Sequence, residues 1–207
     1  MQVAKALGAT VIATAGTARK REVCRNFGAD YVVDYREQEW PSSVLEICGR
    51  ERSGNGRQGV DVVYDPVGMI APSMKCVAWN ARLLVIGFAG GQIEKLALNR
   101  VLLKNVSVVG LHWGMYASKE AGTVGEVWEG IFRLIAEGKF GGIAYRDRVF
   151  DGLASVPEAL TALGGRETWG KVVVTVPEAE GEEEEEEQEQ EQVGEARGRE
   201  RERESKL

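Results

Sequence analysis

The feature that most constrains the fold is a regular alternation of short apolar runs and amphipathic segments. The apolar runs predict strands over 10–15, 31–34, 60–64, 82–87 and 106–111. The segments between and after them predict helices over 18–27, 40–49, 72–79, 98–104 and 120–138. Strands that alternate with helices are typical of a parallel sheet covered on both faces, and nearly continuous apolar strands fit that burial. The sequence therefore predicts a doubly wound α/β fold.

The first residues predict a position within that fold. Residues 2–7 favour a helix that ends at Gly8 and leads directly into the strand over 10–15. Such a helix is preceded in a βαβ unit by a strand and a turn, and neither is found in the residues before it. In the doubly wound strand order 3-2-1-4-5-6, strand 1 lies at the centre. We therefore expect a Rossmann-like sheet without its first strand, and a gap between the strands over 10–15 and 60–64.

The pattern changes after residue 138. A strand over 145–150, a helix over 156–163 and a strand over 171–176 are predicted, and these do not continue the regular alternation. The remaining residues are Glu-rich and have no apolar periodicity, which is typical of a disordered segment. We therefore predict a nucleotide-binding domain over 1–138, a second segment over 139–177 and a disordered tail over 178–207.

Charge and cysteine content exclude several classes of protein. Residues 178–207 carry 14 Glu against five Lys and Arg, which leaves 21 basic and 18 acidic residues in the rest of the chain. A body with so small a positive charge suits an anionic small ligand and argues against nucleic acid as a partner. Cys24, Cys48 and Cys76 are too widely spaced for a zinc motif and indicate a reducing compartment. No apolar run approaches the ~18 residues of a membrane span.

The loop after the first strand is the first candidate site. In dinucleotide-binding folds, a carboxylate at this strand tip selects the free 2′-hydroxyl of NAD, whereas a cation accommodates the 2′-phosphate of NADP. Residues 15–20 contain no acid, and basic residues including Arg19 and Lys20 follow the strand. Gly16 would allow the backbone to approach the ribose. The alternative is an ordinary basic helix start that faces solvent.

Six stretches, in order over residues 2–176, carry a family resemblance. They are QVAKALGATVIATAGTARK, FGADYVVDYRE, VDVVYDPVG, RLLVIGFAGG, LLKNVSVVGLHWG and GKVVV. Together they resemble the zinc-independent, quinone oxidoreductase-like members of the medium-chain dehydrogenase/reductase superfamily. The resemblance implies a Rossmann-like domain that binds NADPH. It also implies that residues 139–177 are the C-terminal remnant of a GroES-like substrate domain, whose other strands precede the nucleotide-binding domain in the family.

The resemblance assigns cofactor-binding roles to particular residues. At the adenosine end it implies that Gly16 and Lys20 line the 2′-phosphate pocket and that Tyr35 packs near the adenine ribose. Around the nicotinamide and the phosphates it implies roles for Phe88, Ala89, Gly90, Leu111, His112, Trp113 and Arg166. His112 is the only histidine, and we interpret it as a wall residue whose backbone contacts the cofactor, because no acid or metal ligand accompanies it. Tyr35 as a plain strand-end aromatic, and GFAGG as a simple turn, remain open alternatives.

The function implied is transfer of a hydride from NADPH to a quinone or an α,β-unsaturated carbonyl compound, without a metal and with no catalytic side chain assigned. The strand over 106–111 predicts a homodimer, because it is uncharged and would otherwise leave an open edge. The alternative function is a catalytically inactive nucleotide-binding or interaction fragment. We expect this alternative to be favoured if the glycine-rich pyrophosphate loop and the substrate domain are absent from the protein.

The last three residues predict a location. Ser205-Lys206-Leu207 matches the peroxisomal address that a soluble import receptor reads, with a cytoplasmic location as the alternative. A fluorescent fusion that ends in these residues should enter peroxisomes, and deletion of Leu207 should release it to the cytosol. Fluorescence microscopy measures the distribution, and an unchanged distribution after the deletion would contradict the targeting prediction.

Overall fold

The first compact unit of the molecule contains the predicted strand and helix alternation. The computed structural model describes residues 1–51 and 58–176, and it divides the chain into units Met1–Gly141 and Gly142–Leu207. The strands of the first unit are β1 (Ile12–Thr14), β2 (Tyr31–Val33), β3 (Val60–Asp65), β4 (Val77–Val85) and β5 (Ser107–Gly110). Its helices are α1 (Gln2–Ala6), α2 (Ala18–Asn26), α3 (Trp40–Glu51), α4 (Ile70–Ser73), α5 (Leu98–Lys104), α6 (Trp113–Lys119) and α7 (Ala121–Ala136).

All strand pairs of this unit are parallel, but they form two separate sheets. One sheet pairs β1 with β2, so that Thr14 lies opposite Val33. The other has the order β3-β4-β5, and its register aligns Asp65, Val85 and Gly110 at the carboxyl ends of the three strands. Within the described residues β1 and β3 do not pair with each other. The predicted Rossmann-like α/β architecture is confirmed, and so is the expected gap between these two strands.

The backbone groups at the gap follow from the ladder hydrogen bonds. The Ala15 amide donates to the Val33 carbonyl at 3.0 Å, and the Ile86 amide donates to the Asp65 carbonyl at 2.9 Å. Because the polar groups of a strand point alternately to its two sides, those of Thr14 in β1 and Tyr64 in β3 are directed away from the paired neighbour. The Tyr64 side chain is 66% exposed. Each sheet therefore has an open edge at the gap.

A buried cluster beneath α3 connects the two sheets. Its buried members are Val33, Trp40, Val44, Cys48 and Cys76. Partly buried side chains from both sheets pack against it, including Ile12 of β1 and Val60 of β3. Burial of each large apolar side chain contributes about 1.5–3 kcal/mol. Apolar packing under α3 therefore joins the two sheets where hydrogen bonds do not.

The structure corrects one predicted element in the first unit. The helix predicted over 72–79 is wrong: α4 ends at Ser73, and residues from Val77 onward belong to the nine-residue strand β4. Asn80 has φ +63°, a left-handed conformation that asparagine tolerates, and the β3–β4 register shifts between Val60 and Val62. Because of this irregularity, the apolar residues of β4 do not alternate regularly along the strand. Its first residues therefore resemble the end of the helix predicted over 72–79.

The best predicted helix is present but has no covered face. The helix predicted over 120–138 is confirmed as α7, yet none of its residues is buried. Trp128 and Phe132 lie on its apolar side, with ring centroids 5.6 Å apart, and both are exposed. No helix in the described part of the chain is both long and apolar enough to cross a membrane.

The second unit is small and has its own core around Phe150. It contains β6 (Phe150–Asp151), the 3₁₀ turn Leu153–Ser155, α8 (Val156–Gly164) and β7 (Val174–Thr175), with β6 and β7 parallel. The predicted helix is confirmed, but the strands predicted over 145–150 and 171–176 are largely wrong. Backbone hydrogen bonds still join the two segments, from the Tyr145 amide to the Lys171 carbonyl and from the Gly152 amide to the Thr175 carbonyl, both at 2.8 Å. Trp169 Nε1 also donates to Asp147 at 2.7 Å. The predicted tail over 178–207 lies outside the described residues.

The open edges predict a pattern of amide hydrogen exchange. The Thr14 and Tyr64 amides are directed into the gap, so they should exchange at least about tenfold faster than the paired amides of Ala15 and Ile86. Hydrogen–deuterium exchange followed by NMR measures each amide. Ala15 and Ile86 are the internal controls because they lie in the same strand regions. Equal protection of Thr14 and Ala15 would show that another group pairs with this edge of β1.

Candidate cofactor site

Gly16 lies at the carboxyl end of β1 beneath two side chains from the end of β2. A Cβ atom built on Gly16 would lie 3.0 Å from the Tyr35 hydroxyl and 3.3 Å from Cδ of Arg36. Gly16 is buried, and Tyr35 and Arg36 follow β2 directly. The structure therefore brings the predicted residues Gly16 and Tyr35 into contact. The close approach gives a physical reason for glycine at this position, since any side chain would displace one of its two neighbours.

Lys20 lies in the first turn of α2, immediately after this glycine loop. Thr17 is the N-cap of α2, and its hydroxyl accepts a hydrogen bond from the Lys20 amide at 3.2 Å. Arg19 pairs with Glu22 at 2.8 Å and lies on the exposed side of the helix. The capped helix start thus places Lys20, which is partly buried, beside the Gly16 loop.

Asp34, which the sequence motifs did not single out, links the ends of β1 and β2. Its carboxylate accepts hydrogen bonds from Arg21 Nη1 at 2.5 Å and from Arg36 Nη2 at 2.8 Å. Arg36 Nε and the Arg36 amide also donate to it, at 3.1 and 3.0 Å. Hydrogen bonds from the side chain and the backbone of Arg36 hold the pKa of Asp34 well below its usual range. The carboxylate is therefore charged and paired at neutral pH.

The sequence contained a signal for this arrangement. The letters DYR follow β2 directly, and a carboxylate two residues before an arginine at a strand end allows a local ion pair. The pairing with Arg21 across to α2 was not available from sequence spacing. With Lys20, Arg21 and Arg36 against Asp34, this end of β1 and β2 carries an excess of positive charge.

Asp65 organises the carboxyl end of β3 and was also missed. It is buried, and its Oδ1 accepts hydrogen bonds from the amides of Val67 and Gly68 at 2.8 and 3.0 Å. Its Oδ2 accepts one from the Met69 amide at 2.5 Å. The carboxylate thus satisfies three consecutive turn amides, which fixes the backbone that follows β3. The sequence DPVG after an apolar strand predicted only a stop.

The predicted loop after β4 is held against that turn. The Ala89 and Gly90 amides donate to the carbonyls of Pro66 and Val67 at 3.0 and 2.8 Å. A Cβ atom on Gly90 would lie 2.8 Å from the Val67 carbonyl oxygen, closer than real Cβ contacts allow. Phe88 beside them is 44% exposed. Phe88, Ala89 and Gly90 therefore form a loop fixed to the turn after β3, and the contact with Val67 is itself a reason for glycine at position 90.

The residues predicted to form a wall follow β5. The Leu111 amide donates to the Val85 carbonyl at 3.0 Å, and the His112 carbonyl accepts from the Met115 amide at 3.0 Å as α6 begins. Trp113 is the first residue of α6 and is 41% exposed. Because β4 and β5 are parallel and in register, these residues and the 88–90 loop leave the same edge of the sheet. The structure brings together both groups predicted for the nicotinamide side.

Arg166 is the one predicted cofactor residue that belongs to the second unit. It follows α8 in the second unit, in a left-handed conformation with φ +57°. Its amide donates to the Leu163 carbonyl at 3.1 Å. Its cofactor role stays a prediction, and so do the roles of the nine residues in the first unit.

A cavity in the first unit lies beside the candidate site rather than among its predicted residues. This cavity of about 340 Å³ lies between β2 and α3, and it is lined in part by Arg21 and Asp34 but by none of the predicted cofactor residues. Its remaining polar lining mixes Glu37, Glu46 and Arg50, so we assign no ligand to it. Across residues 1–51 and 58–176, no group of three or more His, Cys, Asp or Glu side chains could hold a metal ion.

The contact at Gly90 predicts a stability cost. Gly90→Ala would force the loop away from Val67, so we expect the free energy of unfolding to fall by about 1–3 kcal/mol. Gly114→Ala is the matched control because no heavy atom lies within 4 Å of the added Cβ. Urea unfolding followed by circular dichroism measures both variants. Equal midpoints for Gly90→Ala and the unaltered protein would show that the loop yields without cost.

Comparison with known proteins identifies the family. Residues 1–132 match the model of a family described as zinc-binding dehydrogenase. Quinone oxidoreductase-like protein 2 of Bos taurus is 32% identical over 172 residues, which cover 82% of this chain and 46% of that protein. Its homolog of Nematostella vectensis is 30% identical over 179 residues, covering 84% of this chain and 46% of the relative.

A solved structure agrees with these relatives. Escherichia coli quinone oxidoreductase, solved as a complex with NADPH, superposes with a TM-score of 0.67 at 28% identity. The match covers 84% of this chain and 51% of that structure. The chain thus spans about half the length of the relatives it matches. It belongs to the zinc-binding dehydrogenase family, as a quinone oxidoreductase-like member of the medium-chain dehydrogenase/reductase superfamily.

Proposed function

We propose that this chain is the nucleotide-binding part of an NADPH-dependent oxidoreductase that reduces quinones or α,β-unsaturated carbonyl compounds. The observation that carries the proposal is the end of β1 and β2, where Gly16 permits the close approach of Tyr35 and Arg36, and the cations of Lys20, Arg21 and Arg36 outnumber Asp34. Relatives of the chain are named quinone oxidoreductase-like, and the Escherichia coli enzyme was solved with NADPH.

The residues at the adenosine end fit an NADP-type cofactor. Gly16 would allow the ribose to approach the backbone, and Tyr35 would pack beside it. A phosphate monoester carries a charge of about −1.5 to −2 at neutral pH, which the excess cations at this end could balance. The carboxylate that could select NAD at a neighbouring strand tip, Asp34, is occupied by two arginines. This occupation favours NADPH over NADH.

The residues at the other end fit an orienting role. When bound, the cofactor supplies the hydride, and the protein supplies its position. Phe88, Ala89 and Gly90 would border the nicotinamide, since their loop is fixed to the turn after β3. Leu111, His112 and Trp113 would form a wall from the end of β5. No acid or base among these residues is assigned a proton transfer.

We also propose that the reaction needs no metal. The family is described as zinc-binding, but the described part of this chain offers no set of three zinc ligands. The described residues by themselves therefore do not form a catalytic zinc site, which takes three protein side chains. The carbonyl oxygen of the quinone or α,β-unsaturated substrate would be polarised by groups outside the described residues.

A nucleotide-binding or interaction role without turnover is the second candidate. It is favoured by the apolar side chains that the first unit leaves exposed on α7, such as Trp128 and Phe132. Exposed apolar patches mark protein-binding surfaces. The edge strand β5, with Val108 and Val109 both 41% exposed, could pair with its copy in a homodimer.

Reduction of 1,4-benzoquinone or methyl vinyl ketone by NADPH, followed at 340 nm, separates the two candidate functions.

Lys20 provides a test of cofactor selection. Lys20→Ala should weaken NADPH binding about tenfold, or about 1.4 kcal/mol, and should leave NADH binding nearly unchanged. The reason is that the two cofactors differ only by the 2′-phosphate. Arg25→Ala, in the last turn of the same helix, is the matched control for loss of one positive charge.

Isothermal titration calorimetry measures both cofactors on each variant. Equal loss of NADPH and NADH affinity in Lys20→Ala would contradict the assignment of Lys20 to the 2′-phosphate.

A further inference from the structure

Arg36 has a geometry that none of the assigned roles uses. Its stem passes over Gly16, with Cδ 3.3 Å from the position of a Gly16 Cβ. Its guanidinium makes a two-pronged contact with Asp34, through Nε at 3.1 Å and Nη2 at 2.8 Å. The side chain is nevertheless 58% exposed, whereas Asp34 is 12% exposed. The Arg36 guanidinium is therefore held by a nearly buried carboxylate, while the rest of the Arg36 side chain is largely accessible to solvent.

The outer edge of this guanidinium retains donors for a ligand. A guanidinium has five N–H donors in a planar fork, and Asp34 engages only Nε and Nη2. The side chain is 58% exposed, so the donors that Asp34 does not engage are accessible to a ligand. A planar fork suits a phosphate group, because two of its N–H groups can reach two phosphate oxygens. The carboxylate behind it restricts the long side chain, so less rotamer entropy is lost when a ligand binds.

The negative charge of Asp34 does not prevent this site from binding an anion. It is shared between Arg21 and Arg36, and the same Arg21 Nη1 lies 3.4 Å from the Ala15 carbonyl. Arg21 is therefore directed back toward the end of β1, while Arg36 is the member of the pair that lies over Gly16. Lys20 lies in the first turn of α2, directly after the Gly16 loop, and supplies a second cation close in sequence to this surface.

We propose that Arg36 is a specificity-determining residue that binds the adenosine 2′-phosphate together with Lys20, and that Asp34 is the positioning residue that holds Arg36 over Gly16. This inference rests on the proposed function. It adds a second, pre-oriented cation to the pocket and assigns a role to the acid at the end of β2. The acid favours the phosphate indirectly although its own charge repels it.

The test compares two probes that differ only by the 2′-phosphate, adenosine 2′,5′-bisphosphate and adenosine 5′-monophosphate. Calorimetry on the full chain should show tighter binding of the bisphosphate. Arg36→Gln should weaken bisphosphate binding about tenfold without changing binding of the monophosphate. Arg36→Lys should restore only part of this loss, because it returns the charge but not the fork. Arg25→Gln should change neither affinity more than about twofold.

Asp34→Asn separates positioning from simple charge. If Asp34 acts only by electrostatic repulsion, removal of its negative charge should strengthen phosphate binding. If Asp34 holds Arg36 in position, loss of their ion pair should weaken bisphosphate binding about threefold or more. Weaker binding therefore supports the proposal, and tighter binding overturns the role of Asp34. Thermal unfolding followed by circular dichroism verifies that each variant is folded. If Asp34→Asn does not fold, Arg36→Gln still tests the phosphate pocket.

The outcomes distinguish this inference from the function on which it rests. If the unaltered chain binds both probes equally, the NADPH assignment fails and this inference fails with it. If the unaltered chain prefers the bisphosphate but Arg36→Gln keeps that preference, the inference about Arg36 alone is overturned. Loss of the preference in Arg36→Gln, with its partial return in Arg36→Lys, supports the phosphate role of Arg36.

Discussion

The arrangement of the nucleotide-binding unit depends on apolar packing beneath α3. Ile12 of β1 and Val60 of β3 contact the same cluster, whose buried members include Trp40 and Val44. These two strands make no hydrogen bonds with each other in the described residues, so the cluster is the feature that links their sheets. The adenosine end of the candidate site lies on one sheet and the nicotinamide end lies on the other. The spacing of the two ends is therefore set by hydrophobic contact rather than by a continuous backbone ladder.

Two aspartates at strand ends illustrate how local partners decide the role of a residue. Asp65 ends β3 and is buried, and three turn amides satisfy its carboxylate. Asp34 follows β2, and its partners are the guanidinium groups of Arg21 and Arg36. Asp65 thus fixes the backbone of a turn, and Asp34 fixes the side chains of Arg21 and Arg36. Neither carboxylate is left to accept a ribose hydroxyl, which is consistent with the proposed preference for the phosphorylated cofactor.

Much of the first unit was predictable because its strands are short apolar runs with clear boundaries. β1, β2, β3 and β5 lie within one or two residues of the predicted ranges, and the position of the gap followed from the doubly wound strand order. The prediction failed around Val77, where a left-handed Asn80 interrupts β4 and its first residues have no strand periodicity of their own. In the second unit, β6 and β7 are only two residues long, and the segments before them meet in a single isolated bridge between Ala144 and Lys171.

The candidate site was predictable in part for a related reason. Gly16 was singled out because it follows the first strand, whereas Tyr35 and the 88–90 loop were assigned through the family resemblance, and their cofactor roles stay predictions. Asp34 and Arg36 were not singled out, although their spacing allows the local ion pair that they form. The contact of Asp34 with Arg21 in α2 is one that no sequence spacing specifies. The predicted wall residues have backbone contacts at the end of β5, but composition alone does not distinguish such contacts from ordinary helix initiation.

The separation into two sheets has a consequence for how the proposed cofactor and the fold affect each other. A ligand that contacts the ends of both sheets would add a second link beside the cluster under α3. Any ligand that binds only the folded state stabilises it by RT ln(1 + [L]/Kd), or about 2.7 kcal/mol at a hundred times the Kd. A fold with open edges at β1 and β3 has more to gain from such a link than one with a continuous sheet. Cofactor affinity and the stability of this unit are therefore expected to change together when the packing around Trp40 changes.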